Sequence, residues 1–151
     1  MSVPVAADLL PGLRAARDLI DREYARELAL DELAGVAGLS KYHFLRCFAA
    51  AYGQTPAQYL ARRRIERAQD LLRSTNLTVT EVCYLVGYRS PGSFSSRFTD
   101  LVGISPSAYQ ARYAATGAPM IPGCFLLMIG LQDRYPDGSA ISEMPGAGPR
   151  S

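Results

Sequence analysis

Apolar residues recur through most of this chain at the three-and-four spacing of a helix with one buried face. Leu13, Ala16, Ile20, Tyr24 and Leu28 predict an amphipathic helix over Pro11–Glu27, with Pro11 in its first turn and a solvated face carrying Arg14, Arg17, Asp18, Asp21 and Arg22. Leu30, Leu33, Ala34 and Ala37 predict a short second helix that Gly38 ends, since glycine tolerates the left-handed cap. Ser40 then caps a third helix over Lys41–Tyr52. On it Phe44, Cys47, Phe48 and Ala51 share one face, leaving Lys41, Tyr42, Leu45, Arg46 and Ala49 on the other. Gly53 stops that helix, and Thr55-Pro56 opens a long one, free of Gly and Pro up to Thr75, with Tyr59, Leu60, Ile65, Ala68, Leu71 and Leu72 as its apolar stripe. The same grammar continues through Thr78–Val86, a turn at Gly87-Tyr88-Arg89, and a helix capped by Ser90 with Pro91 at its first position. Phe94, Phe98 and Leu101 are expected to face the core there, Gly103 ends the helix, and Ser105-Pro106 starts a last short one finishing near Tyr113.

The pattern occurs twice. Leu30–Tyr59 and Val79–Tyr109 each read as an apolar stretch, Gly, Phe-x-x-x-Phe, Gly, then Pro-x-x-Tyr. Glu32 and Gly38 correspond to Glu81 and Gly87, while Phe44, Phe48, Gly53, Pro56 and Tyr59 correspond to Phe94, Phe98, Gly103, Pro106 and Tyr109 one residue further along. The second copy therefore has one extra residue in its turn. Each copy is a helix-turn-helix, so the expected fold is all-α, with two helix-turn-helix subdomains joined by a long linker helix. The layout is a tandem domain over residues 1–113, with a first motif at about 30–52, a linker at about 56–74 and a second motif at about 79–102. Residues 114–151 form an irregular Pro/Gly-rich tail, because six of the thirteen Gly and five of the ten Pro fall within it. Its apolar run Cys124–Leu131 needs a partner: the chain's own helices first, then a dimer contact or a ligand pocket. Order is expected around 124–131 and disorder over Pro145–Ser151.

Charge changes this picture locally. The formal charge is only +2, yet Leu30–Tyr113 holds ten Lys/Arg against six Asp/Glu, and the flanks are each one unit acidic. The basic surplus coincides with the repeated motifs, as for a protein that meets nucleic acid. At 151 residues and 48% apolar content, the chain has room for one or two small cores and not for an enzyme domain plus a regulatory one. Cys47, Cys83 and Cys124 form no Cys-x-x-Cys pair, and the first two occupy apolar-face positions, so reduced thiols and a cytoplasmic setting are expected. The start of the chain lacks a basic segment and carries Asp8 and Pro11, and its longest apolar run is far below the ~20 residues of a membrane span. No phosphate loop, metal-spaced cluster or nucleophile elbow appears, and His43 has no catalytic companions. No enzyme activity, cofactor or metal is expected.

With these residues in view, the chain resembles the DNA-binding domain of the AraC/XylS family of bacterial transcription regulators over about Pro11–Tyr113. The most specific stretch is Val82–Tyr109, with Gly87-Tyr88, Ser90, Phe94, Phe98, Gly103, Ser105-Pro106 and Tyr109; Ala37-Gly38-Leu39-Ser40 and Arg64-Ile65 add to it. The resemblance implies seven helices, of which the third and sixth enter successive major-groove segments of double-stranded DNA, a site of ~20 bp. Only about ten residues precede the first helix, so the chain looks like the small stand-alone members, a monomer on DNA, with RNA polymerase as a further candidate partner and a dimer through the tail as an alternative.

Residue roles follow from that expectation. Arg46 is placed for a bidentate bond to guanine, Tyr42 for the backbone or a base edge, and Leu45 for a thymine methyl. Lys41, Arg62 and Arg64 are candidates for phosphate, which positions without specifying. The second recognition helix presents Pro91, Gly92, Ser95 and Ser96, with Ser96 where many family members carry arginine and Arg97 one residue later. Arg89, Ser90 and Ser93 are expected to touch the DNA backbone, leaving most base discrimination to the first motif. The competing reading is a protein-interaction or small-molecule-sensing module with weak DNA binding, acting through the apolar tail.

Overall fold

A computed structural model describes residues 5–114, and their regular elements are helices joined by short connections. A 3-10 turn at Ala7–Leu9 leads into α1 (Leu10–Glu23), followed by α2 (Leu30–Ala37), α3 (Lys41–Tyr52), α4 (Pro56–Ser74), α5 (Val79–Leu85), α6 (Pro91–Val102) and α7 (Pro106–Ala114). The chain forms two compact units that divide within α4, at residues 66 and 67. The tail beyond 114, with its apolar run and Cys124, lies outside the described residues.

The first unit closes over one core. Leu13, Ala16, Leu19 and Ile20 of α1 meet Leu33 and Ala34 of α2 and Phe44 and Phe48 of α3, all buried, with Tyr59 and Leu60 packed against them. The two phenylalanine rings lie 5.6 Å apart, and Tyr59 meets Phe48 edge-on at 5.8 Å. Each ring removed in a truncation to alanine would cost about 3–5 kcal/mol, the range for a buried aromatic. α1 and α2 approach so closely that a Cβ at Gly12 would stand 2.5 Å from the Ala37 carbonyl oxygen.

α1 stops four residues before the expected Glu27, and side chains explain why. Arg64 Nε donates to the Tyr24 carbonyl at 2.6 Å and its Nη2 to the Arg26 carbonyl at 3.0 Å, so these carbonyls are satisfied without a further helical turn. Arg26 in turn bridges Glu23 and Glu32. Leu28 packs against the core from the connecting segment rather than from the helix.

The second unit repeats the arrangement. Ala68, Leu71 and Leu72 of α4, Val82 and Cys83 of α5, Phe94 and Phe98 of α6 and Tyr109 of α7 are buried, together with Leu77 ahead of α5 and Val86 at its C-terminal cap. Phe94 and Phe98 lie 5.7 Å apart and Phe98 meets Tyr109 at 5.5 Å, matching the first unit's aromatic chain. At the end of α4 the Thr75 hydroxyl donates to the Leu71 carbonyl at 2.6 Å and accepts from the Leu77 amide at 3.2 Å, turning the chain toward α5. Thr78 and Glu81 cap α5 reciprocally.

Two further features differ from the sequence expectation. Leu101 is 46% exposed instead of facing the core. It lies at the last turn of α6, where periodicity fixes the direction of a side chain around the helix but not whether a neighbour reaches that height. The duplication is also longer than the motif: Leu13, Ala16, Leu19 and Ile20 recur as Ile65, Ala68, Leu71 and Leu72 with identical spacing, and all eight are buried. α4 thus carries the stripe in the second copy that α1 carries in the first.

Candidate nucleic-acid interface

The apolar anchors of α3 decide what it can present. Ser40 caps the helix, its Oγ accepting from the His43 amide at 3.4 Å, and Phe44 and Phe48 fix one face inward. The opposite face is then forced into solvent. Tyr42 is 76% exposed, Arg46 stands exposed one turn later, and Leu45 is half-buried beside them. Among the described residues Arg46 has no hydrogen bond or ion pair, so all five of its donors are open. Lys41 is exposed too, but its Nζ lies 3.2 Å from Asp31 on α2.

The arginine run of α4 separates into three directions, as successive residues about 100° apart must. Arg62 is exposed and without a partner among the described residues. Arg63 lies over the Tyr24 ring at 4.9 Å. Arg64 is half-buried with its guanidinium on the Tyr24 and Arg26 carbonyls, and it ties α4 to the end of α1.

α6 is built like α3 but bears little. Ser90 Oγ accepts from the Ser93 amide at 3.2 Å and donates to the Ser93 hydroxyl at 3.0 Å, so the two candidate hydroxyls are bonded to each other. Pro91, Gly92, Ser93 and Ser96 are exposed, and Ser95 is half-buried. A Cβ at Gly92 would meet nothing within 4 Å. Arg97 is exposed and unpaired among the described residues, whereas Arg89, also exposed, has a partner.

The frame beneath α3 holds interactions that no local signal in the sequence revealed. The Tyr59 hydroxyl donates to Asp21 at 2.8 Å across 38 positions of sequence, so Asp21 is not the solvated residue its helix face suggested. Burial first, and Asp21 second, push the Tyr59 phenol up to about 12. Hydrogen bonds from Arg26 hold the Glu32 carboxyl below the usual range, and Glu32 and Glu23 together raise the Arg26 guanidinium. Arg17 lies over the Tyr52 ring at 5.0 Å. Burial raises the Cys83 thiol, which fits an inert core residue.

Among the described residues no group of His, Cys, Asp and Glu is placed to hold a metal ion, and no helix is long and apolar enough to cross a membrane.

This architecture has known counterparts. Residues 33–112 match a family described as a helix-turn-helix domain. The MmsAB operon regulatory protein of Pseudomonas aeruginosa is 41% identical over 85 residues, covering 56% of this chain and 28% of that protein. The HTH-type transcriptional activator AarP of Providencia stuartii is 36% identical over 91 residues, covering 60% of this chain and 67% of that protein. The chain thus spans from 28% to 67% of the length of the curated relatives it matches. Among solved structures, the DNA-binding domain of the global transcriptional factor AdpA, in complex with a target DNA, superposes with a TM-score of 0.67 at 31% identity, covering 70% of this chain and 95% of that one. The doubled motif, the seven helices and these likenesses converge: the chain belongs to the AraC-type helix-turn-helix family.

Proposed function

We propose that this protein is a sequence-specific double-stranded DNA-binding transcription regulator that offers α3 and α6 to successive major-groove segments of a ~20 bp site. The observation that carries the reading is the outward face of α3, where Tyr42 and an unpaired Arg46 stand exposed on consecutive turns above a core that fixes the helix. A guanidinium with all its donors open suits bidentate recognition of guanine, and Leu45 beside it suits a thymine methyl. Lys41, Arg62 and Arg89 are candidates for phosphate contacts. Two motifs on one chain let a monomer fill such a site, in the cytoplasm of a bacterium, with RNA polymerase as the partner that a bound regulator would meet. The reading includes no catalytic step.

Selection of bound duplexes from a random library, run on the intact protein and on Arg46→Ala, tests this. One consensus of ~20 bp, with information lost from part of it in the variant, is the expected result. Binding that shows no preferred sequence and merely fades as salt rises would reject the reading in favour of nonspecific phosphate attraction.

A further inference from the structure

We propose that the two motifs divide the work unequally: α3 discriminates bases, and α6 is a sequence-tolerant clamp that holds the duplex by its phosphates and shape. The inference rests on the regulator reading above and concerns which half of the site carries information. The cores under the two helices are equivalent, with the same phenylalanine pair at 5.6 and 5.7 Å, so each helix presents corresponding positions outward. What differs is the chemistry at those positions. Tyr42, Leu45 and Arg46 on α3 correspond to Gly92, Ser95 and Ser96 on α6.

None of the three α6 residues can make a bidentate bond to a base pair or a broad apolar contact with a thymine methyl. Nor is the smallness of Gly92 demanded by the fold, because a side chain there would enter open space. The hydroxyls of Ser90 and Ser93 are already bonded to each other, which lowers their capacity to report on a base. The long unpaired cation of α6 is Arg97, and its counterpart on α3 is Cys47, which is half-buried toward the core. Arg97 therefore stands about 100° around the helix from Ser96, at the flank rather than at the centre of the presented face. A flank cation meets the phosphate strand at the groove's edge, which positions the helix without naming a base. Small side chains at the centre let the α6 backbone settle close to the groove floor, where width and deformability are read instead.

The test uses the full chain and the selected duplex, with every base pair replaced in turn and binding followed by fluorescence anisotropy at several salt concentrations. Arg46→Ala identifies the half that α3 reads. Replacements there are expected to weaken binding roughly 5- to 150-fold each, the size of a lost bidentate pair, against less than about threefold in the other half. Arg97→Ala should weaken all duplexes by one common factor and reduce the salt slope by about one phosphate. Equal losses in both halves, or a changed base preference in Arg97→Ala, would overturn the division while leaving the regulator reading intact. So would an Arg97→Ala protein with unchanged affinity and salt slope. An absence of sequence preference across both halves would instead remove the regulator reading itself.

Discussion

Gly12 and Tyr59 show how single residues hold the first unit in shape. The Ala37 carbonyl occupies the space that a Cβ at Gly12 needs, and that neighbour is backbone, which cannot swing aside. Gly12→Ala should therefore destabilise by about 1–3 kcal/mol, as overpacking does, although alanine is the better helix former. Urea unfolding would show a lower midpoint at unchanged slope; an unchanged or higher midpoint would mean the helices can move apart freely. Tyr59 gives a pH signature. Its phenol ionises at about 12 in the folded protein against an ordinary 10.0, so between those values only the unfolded chain loses the proton and stability falls as pH rises. Tyr59→Phe lacks this residue's share of that decline. The stability difference between wild type and variant, of order 1 kcal/mol near neutrality for the bond to Asp21, should narrow from pH 10 upward, and a constant difference would refute the assignment.

At the level of helices, the two copies share a plan but start α2 and α5 differently. Thr78 caps α5 through the Glu81 amide at 3.1 Å, whereas Ala29 precedes α2 with no side-chain cap, and the matching Glu32 is held by Arg26 instead. Thr78→Ala should cost about 1 kcal/mol, seen as earlier hydrogen exchange in α5 while α1–α3 keep their protection. Uniform loss of protection in both units would mean they unfold as one.

Helices of this kind are legible because periodicity and punctuation agree. Ser40, Gly53, Ser90 and Gly103 mark both ends of α3 and α6, and Thr55-Pro56 marks the start of α4, where the structure has them. The end of α1 was not legible, since Arg64, 40 residues away, caps it. The exposed face of α3 could be read from its own apolar stripe, but the inward turn of Arg64 depends on a partner that only the fold supplies. The leading stripe of the duplication carries only interchangeable aliphatic residues, Leu13, Ala16, Leu19 and Ile20 against Ile65, Ala68, Leu71 and Leu72, without the Gly, Pro and Phe landmarks that mark the motif.

For the whole molecule, the described residues already contain both motifs and the span of the family match, which ends at residue 112. A chain of residues 5–114 should therefore select the same DNA sequence as the full protein, with affinities within about threefold, less than the ~5-fold of one lost base contact. Loss of selection in the shorter chain would transfer part of the function to the tail.

The double duty of α4 bears on how the protein can be divided. Tyr59 and Leu60 near its start pack on the first core, while Ala68, Leu71 and Leu72 near its end are buried in the second unit. The boundary between the units falls inside this helix, at residues 66 and 67. A cut placed at that boundary falls within helix, since residues 56–74 contain no connecting loop. Isolated half-molecules must each carry their own copy of this helix, so the smallest transplantable pieces overlap in sequence rather than abut.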